Sequence, residues 1–183
     1  MLLGNTLIKP LFKLDLGCGP HKEDGYVGVD ITQVGTKADI QHDLLQFPWP
    51  FEDSSVDELF SSHFFEHVPK DLRGKFMDEA YRVLKVGCEF KILTPYAFGH
   101  MAVQDFTHEW PPIVPETYFY FDANWRNDNA MHQWKYDLKC DFLLKSCNYV
   151  LTEKTKKDEA KIEHEVLNHV NAIEQMYVVL KKR

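Results

Sequence analysis

The sequence contains no apolar run approaching the ~18 residues of a membrane-spanning helix. Its first residues, Met1-Leu2-Leu3-Gly4, place no basic stretch ahead of their short apolar run. Neither a membrane span nor a secretory leader is expected, and the predicted setting is cytoplasmic. Cysteine is scarce: Cys18, Cys88, Cys140 and Cys147 form no C-x-x-C pair and are too dispersed for a disulfide scaffold, so reduced, structural thiols are expected. Basic charge is in deficit, with 21 Lys and Arg against 28 Asp and Glu and a net charge of −7. That is the reverse of the basic stripe on a duplex-binding protein and argues against nucleic-acid partners. The deficit is concentrated in the first 150 residues, which alone carry −8, and an acidic body suits cationic ligands. Internal repeats, Ser/Gly linkers and low-complexity tracts are absent as well.

What is present is enough for one domain. A chain of 183 residues and 21.5 kDa buries roughly 70% of its unfolded surface around a single core, so residues 1–183 are read as one unit. Leu11-Phe12-Lys13-Leu14-Asp15-Leu16 reads as a buried strand that stops at the loop Gly17-Cys18-Gly19-Pro20. Tyr26 to Ile31 is a second strand and Ala38 to Asp43 a third, and the segments between them are too short for full crossover helices. Val56 to Ser62 is a fourth strand. From Lys70 to Leu84 the apolar residues Leu72, Phe76, Met77, Ala80, Val83 and Leu84 recur at three and four, which predicts an amphipathic helix with Gly87 as its cap. Glu89 to Thr94 alternates as a fifth strand. Residues 96–136, rich in Pro and aromatics that include Trp134, are expected as an irregular cap within the domain. Leu138 to Leu151, Glu159 to Ile173 and Gln175 to Leu180 complete a strand, a helix with Ile162, Val166, Val170 and Ile173 inward, and a last strand. Strand, helix and strand in succession predict an α/β fold with a parallel sheet.

A strand ending in a glycine loop, followed by a second strand ending in Asp30 and Ile31, is the arrangement of a nucleotide ligand at the carboxyl edge of a sheet. Glycine lets the backbone approach closely, and a carboxylate at the next strand tip can accept both ribose hydroxyls. A dinucleotide site would want a third glycine where Lys22 stands, a helix facing the pyrophosphate, and an acid about 20 residues on. An adenosyl ligand with a sulfonium and no phosphate lacks those requirements and welcomes acidic surroundings. S-Adenosylmethionine therefore fits better than a nicotinamide dinucleotide.

Leu14-Asp15-Leu16-Gly17-Cys18-Gly19-Pro20 with Gly28-Val29-Asp30-Ile31 resembles the opening of class I S-adenosylmethionine-dependent methyltransferases. In order downstream, His42-Asp43-Leu44, Phe51 to Asp57, Phe65-Glu66-His67-Val68 and Tyr81 to Gly87 are similar to successive motifs of their small type 11-like branch, and Asp105-Phe106-Thr107-His108 resembles an Asp-Pro-Thr-His element of bacterial and phage relatives. The resemblance implies a Rossmann-like sheet of order 3-2-1-4-5-7-6 with the seventh strand antiparallel, here with the first two crossover helices reduced or absent. A sheet face left bare by those helices asks for a cover, from the N-terminal segment, from the aromatic cap or from a second subunit in a homodimer. Pro20, Val86 and Cys88 depart from the branch's usual residues.

The resemblance assigns Asp15 to the amino group of the cofactor, Gly17, Cys18 and Gly19 to the methionine portion, Asp30 and Ile31 to the ribose, Asp43 and Leu44 to the adenine, and Ser62 and His63 to the methionine side. The plain alternatives are a strand-to-loop turn for the glycines, a solvated strand end for Asp15 and a capping role for Asp43. His67, His108 and Glu109 are the candidate general bases for a hydroxyl or amine acceptor, against a packed or surface role. Phe106, Trp110, Tyr118, Phe119 and Trp125 line either an acceptor pocket or the core of the cap. His63-Phe64-Phe65-Glu66-His67 also spells an inverted zinc-protease pattern. That pattern needs both histidines on one helix face, which a segment leaving a strand and meeting Pro69 does not favour, so no metal is expected. The reading is methyl transfer to a small or medium acceptor, such as a sugar or other hydroxyl or amine compound. A noncatalytic S-adenosylmethionine-binding partner subunit and a pure interaction module are the alternatives.

Overall fold

The structure, a computed structural model, describes residues 10–131, 137–157 and 161–183. Met1 to Gly4, Trp134 and Glu159, which entered the sequence reading, lie outside the described residues. Seven strands form one sheet: β1 (Lys13–Leu16), β2 (Val27–Asp30), β3 (Ile40–Gln41), β4 (Val56–Ser62), β5 (Leu84–Pro95), β6 (Phe142–Leu151) and β7 (Ile173–Lys182). Their order is 3-2-1-4-5-7-6. β1 pairs with β2 and with β4 in parallel, and β7 runs antiparallel to both β5 and β6. No helix forms in residues 17–26 or 31–39, so the two missing crossovers read from the sequence are a feature of the fold.

α1 (Lys70–Val83) follows β4 after a 3₁₀ turn at Phe65–His67. It buries Phe76, Met77, Ala80 and Val83 as the period requires, together with Arg73, while Leu72 is only half-buried. Fully burying each of the larger of these side chains contributes about 1.5–3 kcal/mol. The helix does not use Gly87 as a cap. It stops at Val83, Leu84 turns extended at φ −72° and ψ 140°, and β5 begins at once. Gly87 instead sits inside β5 at φ +79°, where the register against β4 jumps from Val56–Leu84 to Glu58–Glu89. The glycine thus serves a bulge, which the sequence pattern alone does not distinguish from a helix end.

The core lies on one face of the sheet. Leu14, Leu16, Leu59, Phe90, Ile92, Met176, Val178 and Leu180 are buried there in one cluster with Phe65, Phe76, Tyr118 and Phe142. The opposite face is polar where the crossover helices are missing. Lys13, on that face of β1, bonds Glu58 at 3.1 Å, Lys91 bonds the other Glu58 oxygen at 2.8 Å, and the Tyr26 hydroxyl donates to Glu58. The sheet therefore carries paired charges on the face that α/β proteins ordinarily cover with helices.

Residues 96–131 hold α2 (Met101–Gln104), a 3₁₀ helix at Pro115–Phe121 and α3 (Ala123–Asp128), the irregular cap of the sequence reading. Tyr118 is fully buried, whereas Phe106 and Trp110 are exposed, so the cap aromatics split between core and surface. Between β6 and β7 lie α4 (Glu153–Lys156) and α5 (Ile162–Asn168). The expected inward face of the latter does not extend to Val170, which is exposed past the helix end, nor to Ile173, which is buried in β7.

Candidate functional site

β1 and β2 end side by side, and the loop between them is built from their own backbone. Gly17, at φ +71°, donates its N–H to Val29 O at 2.9 Å, and Cys18 donates to the same oxygen at 3.3 Å. Gly19, at φ +49°, donates to Asp30 Oδ2 at 2.9 Å. A left-handed backbone at both positions is one that glycine adopts without strain. At Gly17 space is a second reason, because a methyl group there would run into the Phe64 ring. Gly28, within β2, is as confined: a Cβ would meet Lys22 Cδ at 2.7 Å and Cys18 Sγ at 2.8 Å. The Lys22 chain crosses over it to reach Asp39 at 2.7 Å.

Asp15, the third residue of β1, is 2% exposed. Its Oδ2 accepts from Glu23 N at 2.8 Å, and its Oδ1 is buried with no hydrogen-bond partner among the described residues. Burial, with the Glu23 and Asp30 charges adding to it, pushes its pKa up to about 6 against the partial relief of the Glu23 N–H. A buried carboxylate oxygen without a donor is costly, and a cationic amino group is the chemistry that satisfies it. The Cys18 thiol is pushed up to about 11, by burial first and then by the Asp15 and Asp30 charges, so it stays protonated and packs rather than attacks. Asp30 holds Gly19 through Oδ2, and no described residue donates to its Oδ1. Ile31 beside it is 61% exposed, an apolar surface at the strand tip.

The remaining assigned residues divide. Asp43 Oδ1 accepts from Leu45 N at 2.9 Å, a turn bond two residues along, and no helix starts there for it to cap. Leu44 is buried, its carbonyl accepting from Trp49 Nε1 at 3.0 Å, so its side chain belongs to the core. Ser62 closes β4 half-buried. His63 follows at φ +53°, with its N–H on Leu93 O at 2.9 Å and its Nδ1 3.2 Å from Glu66 Oε1. The Glu66 carboxylate raises the His63 pKa against a smaller opposing effect of burial. His63 lies ahead of the 3₁₀ turn that carries His67, so the two histidines of the inverted zinc pattern do not share a helix.

His67 meets His108 edge to face with ring centroids 4.7 Å apart. Glu109 is joined to the same turn through its backbone, its N–H donating to Glu66 O at 2.9 Å, while its side chain is exposed. The sequence reading missed the residue that fastens this corner. Arg73, 7% exposed, donates to Val68 O at 3.1 Å, to Pro111 O at 2.7 Å and to Glu109 O at 3.0 Å, so α1 holds the cap. Its only sequence signal is an arginine within an apolar helical stripe. Glu66, which the sequence offers only as part of a motif, is buried at 4% exposure. Clefts of about 480 Å³ beside Lys75 and Arg82 and about 700 Å³ beside Met101 and His169 lie away from the glycine loop.

The glycine loop, the acids at two adjacent strand tips and the 3-2-1-4-5-7-6 sheet define the fold of class I S-adenosylmethionine-dependent methyltransferases. Residues 14–92 match the family described as "Methyltransferase domain", Methyltransf_11. That segment runs from β1 into β5 and contains both acids. Solved structures share the fold across nearly the whole chain. A SAM-dependent methyltransferase from Archaeoglobus fulgidus is 19% identical with a TM-score of 0.65, over 94% of this chain and 86% of its own. Geranyl diphosphate methyltransferase in complex with SAM is 15% identical with a TM-score of 0.56, over 96% and 80%. An S-adenosylmethionine-dependent methyltransferase from Mesorhizobium loti is 14% identical with a TM-score of 0.52, over 96% and 92%. No curated protein matches the sequence. The family match and the fold together support an enzyme that takes S-adenosylmethionine as its cofactor. No helix among the described residues is long and apolar enough to cross a membrane.

Proposed function

We propose that the chain transfers the methyl group of S-adenosylmethionine to a hydroxyl or amine of a small or medium acceptor, a sugar among the candidates. The observation that carries the reading is the orphaned, buried Oδ1 of Asp15 next to a glycine loop held by Asp30. In this reading Asp15 takes the amino group of the cofactor, the backbone of Gly17 to Gly19 lies along its methionine portion, and Asp30 Oδ1 accepts from the ribose. The exposed face of Ile31 supports the adenosine, and Ser62 and His63 border the methionine side. Asp43 contributes through the turn it holds at Leu45.

The sulfonium supplies an already activated methyl group, so the chain's own work is orientation and exclusion of water, effects worth many orders of magnitude in effective concentration. A neutral amine attacks through its lone pair; a hydroxyl must lose its proton. His67 and His108, on the two sides of the junction between the post-β4 turn and the cap, are the groups on the acceptor side, with Glu109 bordering them. An acidic body favours the cationic donor over a polyanionic acceptor. A homodimer remains part of the proposal, resting on the open polar face around Glu58, and light scattering at high concentration reads it. The test of function is a melting scan with S-adenosylmethionine and S-adenosylhomocysteine, followed by an acceptor screen that detects release of S-adenosylhomocysteine. Stabilisation by both and product release with a hydroxyl or amine compound support the reading. Stabilisation without product from any acceptor supports the noncatalytic partner subunit, and no stabilisation overturns both.

A further inference from the structure

One group of side chains, where the turn after β4 meets the cap, has the makings of a metal centre. Glu66, His67 and His108 each offer a ligand atom, and the three atoms lie within 4.8 Å of one another. Proximity alone would not carry a site, but two further observations point to a cation. Glu66 is 4% exposed, and while its Oε1 meets His63, its Oε2 is buried without a hydrogen-bond partner among the described residues. The Nδ1 contacts of the histidines also suit ligation. His108 Nδ1 lies 3.1 Å from Ala102 O. His67 Nδ1 lies 3.3 Å from Thr107 O and 3.1 Å from Thr107 Oγ1, a hydroxyl whose own hydrogen goes to Asp105 Oδ1 at 2.7 Å. Oxygen atoms at both Nδ1 atoms suit the tautomer that keeps the ring hydrogen there and a lone pair on Nε2, the form in which metal-binding imidazoles are held from behind.

We propose that Glu66, His67 and His108 bind a divalent transition-metal ion, with zinc the best match. Two imidazoles and one carboxylate form the donor set of zinc sites that keep a fourth position open. Magnesium and calcium would want oxygen ligands throughout. The Glu66 charge offsets half of the ion's, and Asp105 Oδ2, 4.0 Å from His108 Nε2, adds a second carboxylate nearby. The zinc pattern spelled by the sequence is thereby re-paired: His108 of the cap takes the place of His63, which turns to Glu66 instead. The ion would bridge the turn after β4 to the cap and fix the acceptor side. On the function proposed above, the open position meets an acceptor hydroxyl, whose O–H proton passes to solvent as the oxygen binds. Metal occupancy itself does not depend on that function.

The test is calorimetric titration of chelator-treated, metal-free protein with Zn²⁺ and separately with Mg²⁺, repeated in competition with a chromophoric chelator. One equivalent of Zn²⁺ per chain is expected, with Mg²⁺ bound at least about 100-fold more weakly. His67→Ala and His108→Ala should each weaken Zn²⁺ by about tenfold or more. A His164→Ala/His169→Ala double variant, which removes the other cluster of His164, Glu165 and His169, should leave it unchanged. Where His108→Ala fails to fold, the d–d absorption of the Co²⁺-loaded wild type reports the same donor set, with intense tetrahedral bands expected. Binding of less than about a tenth of an equivalent, binding unchanged in both His67→Ala and His108→Ala, or weak octahedral Co²⁺ bands would overturn the site. Titration of the metal-free protein with S-adenosylhomocysteine separates the two proposals. Zinc without the nucleoside overturns the cofactor reading, and the nucleoside without zinc overturns the metal site alone.

Discussion

Asp30 Oδ2 accepts the Gly19 N–H at 2.9 Å, so the tip of β2 braces the loop that leaves β1. On the proposed cofactor role, one carboxylate has two duties, holding a loop through one oxygen and offering the other to a ligand. The substitutions Asp30→Asn and Asp30→Ala separate them. Asn keeps an oxygen for Gly19 but replaces the outward acceptor with a donor, whereas Ala loses both. Charge-assisted hydrogen bonds of this kind contribute about 1.5–3 kcal/mol each. Asp30→Asn should weaken S-adenosylhomocysteine by about tenfold or more with little change in melting temperature. Asp30→Ala should weaken it by about 100-fold or more and also lower the melting temperature. Unchanged affinity in both variants, by calorimetry, would remove the ribose role.

Asp15 predicts a pH dependence of binding. Its pKa in the folded protein is raised to about 6, so near neutral pH the carboxylate is ionised and attracts an amino group. Below about pH 6 it is protonated and that attraction is lost. Affinity for the cofactor should therefore fall as pH drops through 6, approaching tenfold per unit, and Asp15→Asn should flatten the profile at the low-affinity level. The same shift acts on stability with the opposite sign. Folding favours the protonated form, so the stabilisation is fully present below the unfolded pKa of 3.8 and is lost as pH rises through 6. Unliganded Asp15→Asn should be no less stable than wild type at pH 7 in urea denaturation.

Arg73 predicts a separation of cap from cofactor loop. Arg73→Met retains apolar bulk on α1 but leaves the carbonyls of Val68, Pro111 and Glu109 without the guanidinium they now share. A loss of about 3 kcal/mol is expected, which for a chain of this size lowers the melting temperature by about 6–12 °C. Cofactor affinity at a temperature where the variant is folded should change by less than about threefold, while turnover falls, since the acceptor side rests on the cap. An equal loss of affinity would mean that the cap also holds the cofactor.

Glu58 tests the exposed face of the sheet. Its pKa is held below the usual carboxylate value by hydrogen bonds from Lys91, Tyr26 and Lys13, which together outweigh the opposing effect of burial, the largest single one. A lowered folded pKa means stability that is present above the unfolded value of 4.5 and lost as pH falls through the folded value. Glu58→Gln should cost about 1–2 kcal/mol at pH 7 and converge with wild type at acid pH in chemical denaturation. If the variant remains as stable as wild type at pH 7, the ion pairs on that face contribute nothing.

Much of this molecule is readable in its residues, and the parts that are not share a reason. β4 runs from Val56 to Ser62 as its pattern states, because strand alternation is local, and the strand order followed from a succession of motifs. Gly87 reads as a helix end and serves a β-bulge, since both want a left-handed residue and only the jump in register against β4 tells them apart. Val170 and Ile173 share a helical spacing that the chain abandons at His169, the residue capping α5. For the candidate site, the loop geometry of Gly17, Gly19 and Asp30 is legible because it is set by residues close together in the chain. Arg73, Glu66 and the meeting of His67 with His108 were not, since each depends on a cap segment packing against a turn some 40 residues earlier, and no local pattern encodes that.

The most direct measurement is a crystal structure of the protein with S-adenosylhomocysteine. The nucleoside should lie against the backbone of Gly17 to Gly19, with its ribose hydroxyls within hydrogen-bond distance of Asp30 and its amino group on Asp15. Density for the nucleoside elsewhere, or a loop that stays empty at saturating ligand, would contradict the assignment of this chain's site.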